Sequence, residues 1–337
     1  MKYRIYLETD LNRVFTKSLP TIAAAELDVV LTERHDAPGT AIGHVEEGRT
    51  SYLTFDHDGD VDPLLESLAQ LSATAAVFAE HAPDSLAPLA LNERLDFGTE
   101  LVTGQRYKGK TSERLTRLML NLAIAANPAP SGGGWSLLDP MCGRGTTLNW
   151  ALLYGGRATG LDVDRKALDD YAIFLEQWAK NNRFPHKMQR YKKNNSELRH
   201  FDFTVAADRP RLATKTRPDI STFHAPAEST SVRVAGHEMV VSDLPYGIQH
   251  RARTRDPRTP TEIGELVANL ASRCGSWLQP HGSVALSWNV KSLPKVEMLR
   301  LLQDSGFSEV PNVGFEHTVD RVITRDVVLV RVDSSDD

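Results

Sequence analysis

A glycine-containing segment, LLDPMCGRGTTL, has residue types that favour ligand binding over simple packing. It ends an apolar strand at Asp139, places Gly143 and Gly145 on either side of an arginine, and opens a helix at Thr146. Glycines at the carboxyl end of a strand let a ligand approach the backbone closely. The segment lacks the third glycine of a dinucleotide loop, because Leu148 stands there, and it lacks the Gly-Lys-Ser/Thr of a Walker loop. Both phosphate-binding motifs therefore fit it badly.

A second segment, GLDVD, ends the next apolar strand with two carboxylates, Asp162 and Asp164. An acidic residue at this place can accept hydrogen bonds from both hydroxyls of a ribose, and Asp162 is the better placed of the two. Asp164 is expected to cap the following helix. The alternative interpretation is that both carboxylates cap helices and bind no ligand.

A third segment, SDLPYG, follows another buried strand with Asp243, Leu244, Pro245 and Tyr246. It resembles the [D/N]-P-P-[Y/F] signature of class I methyltransferases, which use S-adenosylmethionine and methylate exocyclic amino groups. The lone pair of an aromatic amine is delocalised, so the amine must be oriented and its developing positive charge offset. A carboxylate and a backbone carbonyl fixed by proline can do both, and an aromatic ring gives the base a face for stacking. The alternative is a strand followed by a proline-containing turn.

The resemblance extends over residues 106–332. The segment at 106–126, the three motifs in order and the segment at 315–332 are similar to the THUMP-associated tRNA guanine-N2 methyltransferases. This resemblance implies a Rossmann-like sheet, S-adenosylmethionine as cofactor and RNA, such as tRNA, as substrate. The cofactor-binding residues that follow from it and from the motifs are Thr111, Ser112, Asp139, Gly143, Gly145, Thr146 and Asp162. The catalytic residues around the acceptor amine are Asp243, Pro245 and Tyr246, and Leu244 is assigned to substrate binding.

Three features depart from the family. Leu244 replaces the first proline of the signature. Pro226 stands where the family has an acidic residue near the adenine, with Glu228 as a possible substitute. The N-terminal region is short and acidic, which suggests a reduced THUMP-like unit.

Charge is unevenly distributed along the 337 residues. The first hundred residues contain 7 basic and 18 acidic residues, and the remainder carries a net charge of +6. A basic cluster at 183–200 and another directly after SDLPYG suit contacts with phosphates, although both could be solvated charged segments. From the second cluster, the arginines assigned to substrate binding are Arg251, Arg253 and Arg255.

The remaining composition excludes several classes of protein. Only two cysteines occur, so neither a disulfide framework nor a cysteine-rich zinc site is expected, and a cytoplasmic location is favoured. The eleven histidines show no metal-ligand spacing, so no metal is predicted. No apolar run approaches the length of a membrane span, so no membrane partner is predicted.

Hydrophobic periodicity predicts an α/β fold with two domains and a connector. Strands at 2–8 and 50–56 and helices at 18–31 and 60–80 indicate a small α+β domain over 1–95, followed by a connector at 96–110. Alternating strands and helices over 111–333 indicate a parallel sheet covered on both faces. The strands are expected at 136–140, 158–163, 237–243, 281–289 and 326–332, and the helices at 110–126, 146–155, 164–182, 260–278 and 293–306.

These observations predict an N-methyltransferase that acts on an exocyclic amine, with guanine N2 in tRNA or another structured RNA as the preferred acceptor. Two alternatives stay open at this point. The acceptor could be adenine in DNA or an amine on a small molecule or protein. The chain could also be a non-catalytic methyltransferase-like protein that binds RNA or a partner.

Overall fold

The structure is a computed structural model. It describes residues 1–8, 13–82, 85–91, 95–107, 109–128, 134–191, 198–214, 218–245, 260–312, 314–319 and 323–333. Within these residues, no helix is long and apolar enough to cross a lipid bilayer.

The N-terminal part is a five-stranded antiparallel sheet, and two helices connect some of its strands along the chain. Its elements are β1 (Lys2–Leu7), α1 (Arg13–His35), β2 (Gly43–Glu47), β3 (Thr50–Asp56), α2 (Val61–Gln70), β4 (Thr74–Ala82) and β5 (Ser85–Leu89). The strand order is β2-β3-β1-β4-β5. The first four strands and two helices follow the β-α-β-β-α-β order of a ferredoxin-like unit.

The single helix predicted at 60–80 is wrong in its second half. Helix α2 ends at Gln70 because Leu71 has an extended conformation, with φ −54° and ψ 142°. The backbone N–H and hydroxyl of Ser72 both donate to the buried carboxylate of Glu26, at 3.0 and 2.6 Å. This contact redirects the chain into β4, whose Val77 packs in the core.

The C-terminal part is built on a ten-stranded sheet that follows a connector. The connector contains α3 (Glu100–Thr103) and leads into α4 (Glu113–Ala126). The remaining elements are β6 (Ser136–Asp139), α5 (Thr146–Leu153), β7 (Arg157–Asp162), α6 (Arg165–Asn181), β8 (His186–Arg190), β9 (Arg199–Val205), α7 (Arg209–Leu212), β10 (Asp219–His224), β11 (His237–Asp243), α8 (Pro260–Trp277), β12 (Leu278–Asn289), α9 (Lys295–Gln303), β13 (Phe307–Glu309), β14 (His317–Thr318) and β15 (Thr324–Val332).

Five neighbouring strands of this sheet are parallel, and they form its centre. The order is β13-β15-β12-β11-β6-β7-β10-β9-β8, with β14 beside β15. Strands β10, β7, β6, β11 and β12 run parallel, whereas β15 is antiparallel to β12 and β9 is antiparallel to β10. This is the Rossmann-like α/β arrangement that the sequence predicts. The carboxyl ends of β6, β7 and β11 therefore meet at one edge.

The core lies on both faces of the large sheet. Helix α4 is buried along most of its length, including Leu118 and Leu122, because it packs between α1 and the strands β11 and β12. Helix α8 buries Leu270 and Trp277 in the cluster on the other face.

The basic cluster at 183–200 is partly an edge strand, β8, and its residues 192–197 lie outside the described residues.

Candidate active site

The turn after β6 is a tight loop built on two left-handed glycines. Gly143 has φ 52° and Gly145 has φ 78°. A Cβ on Gly145 would lie 2.1 Å from the Tyr171 ring, whereas a Cβ on Gly143 would meet no atom within 4 Å. Gly145 is therefore required by packing, and Gly143 leaves its side of the loop open to a ligand.

Asp162 ties this loop to the end of β7. Its Oδ2 accepts the backbone N–H of Gly143 at 2.7 Å, and its Oδ1 accepts the N–H of Asp164 at 2.7 Å. Asp164 caps α6 by accepting the N–H groups of Lys166 and Ala167, as the sequence indicates. Only one of the two carboxylates is therefore a helix cap, and Asp162 lies beside the glycine loop.

Asp139 is buried beneath the loop and joins β6 to β11. Its Oδ1 accepts the hydroxyl of Ser242 at 2.8 Å and the N–H of Met141 at 3.1 Å. Burial raises the pKa of Asp139 to about 6, although its bonds with Ser242, Met141 and Thr147 oppose the shift. The carboxylate therefore supports the loop from inside the protein.

Asp243 ends β11 at the same edge of the sheet. Its Oδ2 accepts the hydroxyl of Thr111 at 2.6 Å and lies 3.9 Å from a guanidinium nitrogen of Arg325. The N–H of Leu244 donates to the carbonyl of Ser287 on β12 at 2.8 Å. The Leu244 side chain is fully buried, so a substrate contact at this residue would have to use its backbone. Pro245 follows it and is partly exposed.

Residues near the end of the connector contact the glycine loop, and Thr111, which follows it, contacts Asp243. Gln105 donates to the carbonyl of Arg144 at 2.8 Å, and the Arg144 guanidinium lies 4.8 Å from the centre of the Tyr107 ring. Tyr107 hydrogen bonds with Thr146, and burial raises the pKa of Tyr107. Ser112 caps α4.

Sequence reasoning assigned Thr111 and Ser112 to the cofactor, and it missed several of the contacts around them. The hydroxyl of Thr111 faces Asp243, which was assigned to the acceptor amine. The roles of Gln105 and Arg325 had no sequence signal, because their partners lie far away along the chain. Arg144, between the two glycines, was the residue from which a contact between its guanidinium and the Tyr107 ring could have been predicted.

Tyr246, Arg251, Arg253 and Arg255 lie outside the described residues. Pro226 and Glu228 lie in the exposed turn after β10. Within the described parts of the chain, no group of three or more His, Cys, Asp and Glu side chains could hold a metal ion.

The residues at this edge fit S-adenosylmethionine, the cofactor that the sequence resemblance implies. The open side of Gly143 would admit the methionine portion close to the backbone. The Asp162 carboxylate at the end of β7 would accept ribose hydroxyls. Next to it, Val163 is 62% exposed, and this apolar side chain is suited to one face of an adenine.

Comparisons with known proteins give weak similarities to methyltransferase structures. No protein-family profile and no curated protein matches the sequence. TrmN from Thermus thermophilus is 14% identical with a TM-score of 0.42, and the match covers 88% of this chain and 60% of that chain. A methyltransferase from Pyrococcus furiosus is 13% identical with a TM-score of 0.41, covering 69% and 91% of the two chains. Magnesium protoporphyrin IX methyltransferase from Synechocystis, solved with bound SAM, is 13% identical with a TM-score of 0.40, covering 66% and 79%.

Proposed function

We propose that the chain is an S-adenosylmethionine-dependent N-methyltransferase that acts on an exocyclic amino group, with guanine N2 in tRNA or another structured RNA as substrate. The observation that carries the proposal is the arrangement of Asp139, Asp162 and Asp243. These three carboxylates end three neighbouring parallel strands, and Ser242 links Asp139 directly to β11. A cofactor site and an acceptor site at one sheet edge is the arrangement that methyl transfer between two bound molecules needs.

The cofactor side of the site uses the glycine loop. Gly143, Gly145 and Thr146 would hold the methionine portion, and Asp162 would hold the ribose. S-adenosylmethionine, when bound, supplies an electrophilic methyl group on a sulfonium. The Asp162 carboxylate also holds the loop itself, because it accepts the backbone N–H of Gly143.

The acceptor side uses Asp243 and the backbone that follows it. The Asp243 carboxylate would accept one N–H bond from the amine, and the carbonyl of Leu244 or Pro245 would accept the other. These bonds aim the nitrogen lone pair at the methyl carbon. The negative charge also offsets the positive charge that develops on nitrogen before its proton is lost. Tyr246 is assigned to stacking against the base.

RNA as the substrate is supported by charge and by sequence. The acidic first hundred residues are followed by a part with a net charge of +6, which contains the predicted site. Arg251, Arg253 and Arg255 follow the acceptor segment directly and would contact phosphates. The cytoplasmic location stays a prediction from the cysteine count.

The decisive experiment separates cofactor binding from methyl transfer. The protein should bind S-adenosylhomocysteine in calorimetry and should transfer labelled methyl groups to unmodified tRNA transcripts, with N2-methylguanosine as the product in nucleoside mass spectrometry. The Asp243→Asn variant should lose on the order of 100-fold or more in transfer rate, because the charge that offsets the transition state is gone. Its affinity for S-adenosylhomocysteine should stay close to that of the wild type.

The matched control is Asp304→Asn, which removes an exposed carboxylate paired with Arg300. It should change neither the transfer rate nor the affinity for S-adenosylhomocysteine.

The outcomes distinguish the alternatives. N6-methyladenine in DNA as the product would move the acceptor to adenine. Binding without transfer to any nucleic acid would favour a different amine or a non-catalytic protein. A wild type that does not bind S-adenosylhomocysteine would reject the proposal.

A further inference from the structure

We propose that Thr111 is a positioning residue that holds the Asp243 carboxylate in the orientation needed for the acceptor amine. This inference rests on the proposed function. It changes the expected role of Thr111, which the sequence assigned to the cofactor. The residue lies directly after the connector and 132 positions before its partner, so no local motif links the two.

The contact between the two side chains is short and partly buried. The Thr111 hydroxyl donates to Oδ2 of Asp243 at 2.6 Å. This distance is typical of a hydrogen bond from a hydroxyl to an ionised carboxylate, which is about twice as strong as a neutral one. The Asp243 side chain is only 12% exposed, so water competes weakly for the same oxygen. The bond therefore fixes the carboxylate at the end of β11.

The backbone on both sides of Thr111 is held by other contacts. On one side, the ammonium of Lys110 donates to the carbonyls of Val102 and Gln105 at 2.7 and 2.9 Å and pairs with Glu113 at 2.5 Å. On the other side, Ser112 caps α4, which is buried along most of its length. The Thr111 hydroxyl is consequently presented to Asp243 by a backbone whose neighbouring residues are both held by hydrogen bonds.

A second group, which is charged, approaches the same carboxylate oxygen. A guanidinium nitrogen of Arg325, on β15, lies 3.9 Å from Oδ2 of Asp243. At that distance the arginine contributes charge but little directional restraint, because a hydrogen bond needs a closer approach. Of these two groups, Thr111 is the one that can set the angle of the carboxylate.

The inference predicts that the hydroxyl, and not merely the volume of the side chain, is needed. Thr111→Val keeps the shape and removes the donor, so methyl transfer should fall about 10- to 100-fold, as expected for loss of a charge-assisted hydrogen bond that orients a reacting group. Thr111→Ser keeps the donor and should recover most of the wild-type rate. The rates are measured as single turnovers on the tRNA transcript that the wild type modifies.

The control variant is Thr103→Val, in the connector eight positions before Thr111. The Thr103 hydroxyl donates to the carbonyl of Thr99 and the side chain is exposed, so its loss should leave the rate unchanged. Affinity for S-adenosylhomocysteine should be equal in the wild type and in the Thr111→Val, Thr111→Ser and Thr103→Val variants. Thermal unfolding midpoints verify that each variant is folded, and Thr111→Ala serves as a second donor-free variant if the valine does not fold.

Several results would overturn the inference. Equal transfer rates for Thr111→Val and the wild type would show that the hydroxyl does not matter. A parallel loss of cofactor affinity would return Thr111 to the cofactor site. A Thr111→Ser variant as slow as the valine variant would indicate a packing role. In contrast, a wild type without cofactor binding or transfer would reject the proposed function itself, and this inference with it.

Discussion

Asp139 is a carboxylate that the protein keeps away from water directly under the glycine loop. It is 3% exposed, and burial raises its pKa to about 6. Three hydrogen-bond donors oppose the shift but do not cancel it, since removing an ionised group from water costs more than these bonds return. The ionised Asp139 carboxylate therefore lowers the free energy of unfolding near neutral pH. In return, the carboxylate lies directly under the glycine loop and accepts the backbone N–H of Met141 at the start of the loop.

The pH dependence of stability tests this description. The folded protein binds the Asp139 proton more tightly than the unfolded chain, so this residue makes the protein less stable as pH rises from about 4 to about 6. In Asp139→Asn this contribution is absent. The unfolding free energy of the variant relative to the wild type should therefore increase by roughly 2–3 kcal/mol between pH 4 and pH 7. Urea denaturation at several pH values measures it, and a difference independent of pH would contradict the assigned pKa.

The residues that end the central strands were predictable from sequence, but their partners were not. Asp139, Asp162 and Asp243 each follow an apolar strand with glycine or proline nearby, which is a local pattern. The contact of Thr111 with Asp243 and that of Asp243 with Arg325 join different elements. Only the order of strands in the sheet brings these groups together, and the sequence pattern does not specify side-chain contacts across the sheet.

At the scale of elements, the close packing of β7 against the loop depends on one glycine. Gly160 pairs with Asp139 across the two strands. The loop is held close to β7, because the N–H of Cys142 donates to the carbonyl of Leu161 at 2.9 Å. A Cβ on Gly160 would lie 2.6 Å from Sγ of Cys142 and 2.7 Å from a methyl carbon of Leu148.

Gly160→Ala should therefore destabilise the protein by about 1–3 kcal/mol, the usual cost of overpacking. It should also weaken binding of S-adenosylhomocysteine, since the loop must shift. The control is Gly264→Ala in α8, where an added Cβ meets no atom within 4 Å and alanine should stabilise the helix by about 0.5–1 kcal/mol. Chemical denaturation should give changes of opposite sign for the two variants. A Gly160→Ala protein as stable as the wild type would mean that the loop is not held closely to β7.

Element prediction worked where hydrophobic patterns were long or central. The strands at β6, β7 and β11 are short apolar runs before a turn, and each was expected within a few residues of its observed bounds. The prediction was wrong after α2, where an Ala-rich sequence continues the helical pattern. In the structure, Ser72 donates two hydrogen bonds to the Glu26 carboxylate, and the chain then enters β4. Strand β8 was not predicted, because it is an edge strand with charged residues and little hydrophobic periodicity. Strand β9 was also missed, although Phe201, Phe203 and Val205 alternate with less buried residues in a pattern that indicates a strand.

At the scale of the whole molecule, we propose that the two sheets form two domains with their boundary in the connector at 96–110. Contacts between α1, the end of α2 and α4 join them. Arg117 of α4 donates to the carbonyls of Ala69 and Gln70 at the end of α2, at 2.8 and 3.1 Å. A positive side chain at a helix carboxyl end also interacts favourably with the helix dipole. The N-terminal unit is thus attached directly to the helix that begins at the proposed acceptor site.

Glu26 lies at the centre of this junction and has no exposed surface. Its carboxylate accepts bonds from Ser72, two residues before β4, and from the side-chain amide of Asn121 on α4 at 2.9 Å. Burial raises the pKa of Glu26, and the same bonds oppose that shift. One residue of α1 therefore satisfies polar groups from both parts of the molecule.

Glu26→Ala should lower the unfolding free energy by about 2–4 kcal/mol, because buried donors on Ser72 and Asn121 lose their acceptor and a cavity remains. The matched control is Asp28→Ala on the same helix, where a partly exposed carboxylate is removed and the change should stay below about 1 kcal/mol. Urea denaturation measures the unfolding free energy of both variants.

At a temperature where Glu26→Ala remains folded, its affinity for S-adenosylhomocysteine should match that of the wild type, because Glu26 contacts the junction and not the glycine loop. If the two variants were equally stable, the junction would not depend on this carboxylate. If cofactor affinity fell together with stability, the cofactor site would depend on the docking of the N-terminal unit.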